Sequence, residues 1–194
     1  MVWPLHRGAE SWMQLGCGQL IVWRSWSLQQ WMSCKAETPG DRMSQTATYH
    51  TTVTWKGGHW GHIAMGNGPE MDFSAPPDAH GHAGVLTPED AFVAAANTCI
   101  MMMFIWSAER FKLNLLSYNC KAEGTKRIEL DRTEIFSHLR FWPKIRVAAG
   151  NEAPDVVRTR TERALQSARK YSLVANSVKA EIIVDARIEV VSTT

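Results

Sequence analysis

One run of the chain, TPEDAFVAAANTCIMMMFIW from Thr87 to Trp106, limits the possible folds more than any other. Thr87 is a good helix N-cap. Pro88 suits the first helical position, where its missing N–H goes unused, and Asp90 makes a short version of a capping box. Behind this start, Ala91 to Trp106 is the longest apolar run, interrupted by Asn97 and Thr98. As a run it is shorter than the roughly 20 apolar residues of a spanning helix. The pattern predicts a helix from Thr87 to about Lys112, buried on most sides, and a domain built around it.

The flanking sequence supplies that domain. TATYHTTVTW, ending at Trp55, alternates β-branched and aromatic residues and reads as a strand. Gly57-Gly58 makes a turn, and HWGHIAM pairs back as a hairpin. A short strand and a Pro/Gly/His loop lead to the helix. After it come two strands, LNLLSYNCKAEGT and IELDRTEIFSHLRFWPKIRVA, expected to join near Gly124. A second helix begins at Pro154, with Val157, Ala164, Leu165 and Ala168 at roughly helical spacing and the arginines Arg158, Arg160 and Arg163 as its solvated face. A SLVANS turn and one last strand, VKAEIIVDARIEVV, close the chain. The order predicts an α+β plan, with helices against one face of a largely antiparallel sheet.

Residues 1–42 are unlike the rest. They hold Trp3, Trp12, Trp23, Trp26 and Trp31, five of nine tryptophans, with no helix or strand period. Gln14, Gln19 and Arg24 interrupt any signal-peptide core. The segment reads as an unstructured extension or an overlong start, with the domain spanning 43–194.

A formal charge of +2 and the lack of a long basic run exclude a nucleic-acid partner by charge, and no membrane partner is expected. The four cysteines, Cys17, Cys34, Cys99 and Cys120, form no CxxC pair and no disulfide scaffold, which fits a reducing cytoplasm. His59, His62, His80 and His82 invite a metal reading. Residues three apart on a strand do not share a face, however, and a glycine loop more often leaves histidines solvated. No metal or cofactor is expected.

Cys99 then carries the question of chemistry. Its helical neighbours are Ala95, Ala96, Met102 and Met103. Small residues there admit another helix, and methionines adapt around it. Taken alone this is a packed thiol.

The whole string changes that reading. PEDAFVAAANTC, then SYNCKAEGT, then KYSLVANS and a final VKAEI strand resemble the OsmC/Ohr family of thiol-dependent peroxidases and stress proteins, over about Thr46 to Val191. The resemblance implies mostly antiparallel sheets with two long helices and an intertwined homodimer with sites at its interface. It also implies a peroxidatic cysteine that attacks an organic hydroperoxide and condenses with a resolving cysteine, helped by an arginine and a glutamate. The peroxidatic position falls on Cys99 and the glutamate on Glu89. Ten residues separate them, about 15 Å along a straight helix, so Glu89 needs a bent lead-in or serves a partner subunit. The arginine is implied after the Gly-Gly turn, where His59 stands, with Lys56 and His62 as other candidates. The resolving position falls on Ser172, which cannot form a disulfide, and Cys120 is a possible internal substitute with a packing role as its bland reading.

Two functions follow. One is a one-cysteine peroxidase using Cys99, a small hydrophobic hydroperoxide and an external thiol reductant. The alternative is a non-catalytic dimer binding a small hydrophobic ligand. Cys99 and Glu89 favour the first, His59 and Ser172 the second.

Overall fold

The computed structural model describes residues 46–192. The expected extension, 1–42, lies outside them. A compact unit begins at Tyr49. Its first part is an antiparallel meander of β1 (Thr51–Gly57), β2 (Trp60–Met65) and β3 (Glu70–Ser74). Residues 46–50, expected in the first strand, precede it. Gly57 (φ 105°) and Gly58 (φ 52°) supply the left-handed turn that a side chain would resist, and the Trp55 indole straps it by donating to Gly58 O at 3.0 Å.

Strand register gives the meander two unlike faces. Val53, Ile63 and Met71 align on one, beside Trp55, Gly61 and Phe73. The other carries His62 and Asp72 in register, with Lys56 bonded to the same carboxylate. Phe73 lies over Gly61 so closely that a Cβ there would fall 2.3 Å from its ring. The apolar face is left open: Val53 is 64% and Trp55 76% exposed.

Helix α1 (Pro88–Arg110) starts as its sequence dictates. Thr87 Oγ1 accepts from the Asp90 amide at 3.1 Å and donates to Asp90 Oδ2 at 2.9 Å. It ends where Lys112 turns left-handed (φ 54°) and the Leu113 amide reaches back to Ala108 O, a Schellman-type stop. Ala96, Ile100, Phe104 and Ala108 recur every fourth residue and form its buried stripe. The remaining circumference is also apolar yet is not covered. Met102 and Trp106 are 42% and 58% exposed, so burial on most sides is not what the chain achieves by itself. By length and composition alone α1 could cross a membrane, its most apolar stretch of 18 residues having a mean hydropathy of 1.7.

Against the buried stripe lies the second sheet. β4 (Asn114–Ile128) and β5 (Glu134–Ala148) form a long antiparallel hairpin. Its turn is not at Gly124, which pairs with Leu139 inside the ladder. The chain reverses at 129–133, where Asp131 accepts from the Thr133 amide and Arg132 is left-handed (φ 69°). Gly124 serves packing instead: a Cβ would fall 2.6 Å from Phe136 and 2.8 Å from Val93. The single closing strand is in fact two, β6 (Glu181–Val184) and β7 (Arg187–Val191), both parallel to β5. The break at Asp185–Ala186 stands opposite Trp142-Pro143, where proline offers no N–H to continue a ladder. The architecture is therefore α+β with one antiparallel and one mixed sheet.

Helix α2 (Pro154–Tyr171) packs on α1 and β7 through Val157, Thr161, Ala164 and Ala168. Thr161 satisfies its buried hydroxyl by donating to Val157 O at 2.8 Å. Arg160 is not part of a solvated face: it is half-buried, paired with Glu152 and donating to Phe111 O. The expected SLVANS turn is a short helix, α3 (Leu173–Ser177).

The close cover over Gly124 makes a test. Gly124→Ala is expected to destabilise the fold by roughly 1–3 kcal/mol through overpacking against Phe136 and Val93. An unchanged denaturation midpoint would contradict this packing.

Candidate functional site

Cys99 emerges from α1 beside the buried stripe, half-buried, on the flank that meets α3. There the Ser172 hydroxyl donates to Cys99 Sγ at 3.2 Å. Ser172 is wholly buried and is the N-cap of α3, its Oγ accepting from the Ala175 amide at 3.3 Å. The turn that presents it is tied down locally: Asn176 donates its side-chain amide to Lys170 O at 2.9 Å and its backbone N–H to Ser172 O at 3.0 Å. Two residues far apart in sequence are thus brought together by the packing of α2 and α3 on α1.

The second described thiol is elsewhere. Asn97 reaches β4, donating to Cys120 O at 3.2 Å. Cys99, two residues on, points roughly 200° away around the helix. Cys120 packs with Ala96 and Ile100, and burial pushes its thiol up, with the neighbouring Tyr118 hydroxyl partly opposing the shift. Burial likewise holds the Tyr118 hydroxyl protonated. This geometry does not serve the expectation that Cys120 substitutes for a resolving cysteine. In the same region Asn97 Oδ1 and Tyr118 Oη are buried without a hydrogen-bond partner among the described residues.

Glu89 occupies the first turn of the same uninterrupted helix as Cys99, so there is no bent lead-in to bring them together. Its Oε2 is buried and has no hydrogen-bond partner among the described residues, an arrangement that costs free energy unless a donor meets it. Lys126 is the nearby cation; its ammonium is held charged chiefly by Glu134, at 2.9 Å, with smaller help from Asp78 and Glu89.

The hairpin's three cationic candidates differ. Lys56 Nζ and His62 Nδ1 both lie 2.7 Å from Asp72 Oδ1, and the Lys56 bond, then that from His62, holds the Asp72 carboxyl below its ordinary range. The periodic sequence gave no hint of this triad, although strand register places Asp72 opposite His62. His59 keeps clear of it, with its ring 6.1 Å from that of His80, while His82 stacks on Trp60 at 4.5 Å. The four histidines therefore do not converge. Among the described residues, no group of three or more metal-ligating side chains assembles, and no hydrogen bond or ion pair joins His59 or Glu89 to Cys99. A groove of about 460 Å³ lies near the far end of α1, lined by Phe111, Val156 and Arg163 among others, away from Cys99.

These environments rank the two thiols. Isotope-coded alkylation followed by peptide mass spectrometry is expected to label Cys99 several-fold faster than Cys120, whose thiol burial has pushed up. The reverse order would contradict the reading of Cys120 as the less reactive thiol.

The family model for OsmC-like protein matches residues 81–187, more than half of the chain. No curated protein matches the sequence. Among solved structures, an OsmC-like protein of unknown function from Vibrio cholerae is 21% identical, with a TM-score of 0.65 over 73% of this chain and 100% of that one. An organic hydroperoxide resistance protein from Elizabethkingia anophelis is 16% identical, with a TM-score of 0.59 over 77% and 100%. An OsmC-like protein from Mycoplasma pneumoniae is 11% identical, with a TM-score of 0.62 over 75% and 99%. At these identities the structures speak for the fold. Together with the family match over the long helix, the hairpin and the Cys99–Ser172 contact, they place this chain in the OsmC-like protein family.

Proposed function

We propose that the chain is a thiol-dependent reductase of small hydrophobic organic hydroperoxides, working with one cysteine, Cys99, as a homodimer in a reducing cytoplasm. The supporting observation is the polar contact at Cys99: a half-buried thiol on an otherwise apolar helix, met at 3.2 Å by a hydroxyl held in a fixed turn. Hydroperoxide resistance is what some proteins of the same fold are named for.

In the proposed cycle the Cys99 thiolate attacks the distal peroxide oxygen. An S–O bond forms, the O–O bond breaks, and the alkoxide takes a proton and leaves as alcohol. The sulfenic acid has a hydroxyl beside it rather than a thiol. A small external thiol therefore forms a mixed disulfide with Cys99, releasing water, and a second external thiol restores the cysteine by disulfide exchange.

The homodimer is supported by two surfaces that the described residues leave bare. One is the Met102 and Trp106 side of α1; the other is the Val53 and Trp55 side of the meander. A second copy would cover both and could meet the orphaned Glu89 oxygen. In such a dimer Met102 and Met103 would form the apolar surroundings of the substrate.

The test is stopped-flow reaction with cumene hydroperoxide against a Cys99→Ser control, with sulfenic acid trapped by a dimedone-type probe. Rapid consumption that disappears in the control, with the adduct on Cys99, is expected. Consumption no faster than by free cysteine would overturn the reading and leave a ligand-binding dimer in its place.

A further inference from the structure

We infer that the Ser172 hydroxyl is a fixed hydrogen-bond donor that stabilises Cys99 as a thiolate, a role distinct from resolving a sulfenic acid. For its biological use this rests on the hydroperoxidase reading, while its geometry stands by itself.

A serine hydroxyl has one hydrogen to give and lone pairs to receive. At Ser172 a lone pair is engaged by the Ala175 amide at 3.3 Å, and the hydrogen is directed to Cys99 Sγ at 3.2 Å. The bonds from Asn176 to Ser172 O and to Lys170 O fix the turn around it. Ser172 is fully buried, so water does not compete for that hydrogen. A donor bonds an ionised sulfur more strongly than a neutral one, and so shifts the balance towards the thiolate. No charged side chain is hydrogen-bonded to Cys99 or Ser172 among the described residues, and the Ser172 hydroxyl is hydrogen-bonded to the sulfur. A residue that looks like a lost resolving cysteine thus has an assignable task of its own.

The experiment compares full-length wild type, Ser172→Ala and Ser172→Thr at one neutral pH. Two signals are read: the alkylation rate of the Cys99 peptide, and the ultraviolet thiolate absorbance, taken as the difference from a Cys99→Ser version of each protein. Ser172→Ala is expected to lower both by about tenfold, the size of a lost bond to a charged group. Ser172→Thr, which keeps the hydroxyl, is expected to restore them. If threonine does not fit the buried site, as far-ultraviolet circular dichroism would reveal, the absorbance of Ser172→Ala decides alone. A purely space-filling serine predicts an unchanged thiolate band and alkylation that is unchanged or faster, and that result would overturn the inference. No hydroperoxide is used. Lowered signals in a protein inert to hydroperoxide would keep this role and sink the peroxidase reading, and unchanged signals in an active protein would do the opposite.

Discussion

The structure depends on how one helix is covered. α1 is largely apolar around its circumference, yet among the described residues the sheet and α2 bury one stripe of it, from Ala96 through Ile100 and Phe104 to Ala108. Burial of that stripe is the main favourable term available here, since each large apolar side chain removed from water contributes about 1.5–3 kcal/mol. It also fixes the helix's rotation. With the stripe against the sheet, Asn97 must face β4 and Cys99 must face α3. The site's geometry is therefore a consequence of core packing rather than of a dedicated loop.

The same constraint bears on assembly. The bare flank of α1 and the apolar face of the meander each gather exposed large apolar side chains, Met102 and Trp106 on the one, Val53 and Trp55 on the other. Among the described residues of one chain, Trp55 and Trp106 stay exposed and a buried Glu89 oxygen stays unpaired. In the proposed homodimer, completion of the site and completion of the fold are one physical event, with His59 in the turn between β1 and β2.

Much of this was legible in the sequence, for identifiable reasons. Thr87-Pro88 and Asp90 announce a helix start because capping is local chemistry, and Gly57-Gly58 announces a turn because only glycine is at ease at positive φ. What escaped depends on contacts between distant residues. Gly124 looks like a turn but is small because Val93 and Phe136 cross it. The closing strand looks continuous, and only the neighbouring Pro143 in β5 explains its break. Arg160 looks solvated until Glu152 and Phe111 O meet it. Of the candidate site, Cys99 and Ser172 could be named as family positions, but their contact required three helices to pack. Neither Glu89 nor His59 joins them within one chain.

The central claim is that position 172 addresses the reactive sulfur of Cys99. Ser172→Cys tests it most directly, because it puts a thiol in place of the hydroxyl that lies 3.2 Å from Cys99 Sγ, where a disulfide is the expected product of oxidation. The measurement is peptide mass spectrometry, without reduction, after one equivalent of cumene hydroperoxide. The account predicts a disulfide joining the introduced thiol to Cys99 and no trappable sulfenic acid. Sulfenic acid that persists on Cys99 beside a free introduced thiol would contradict it.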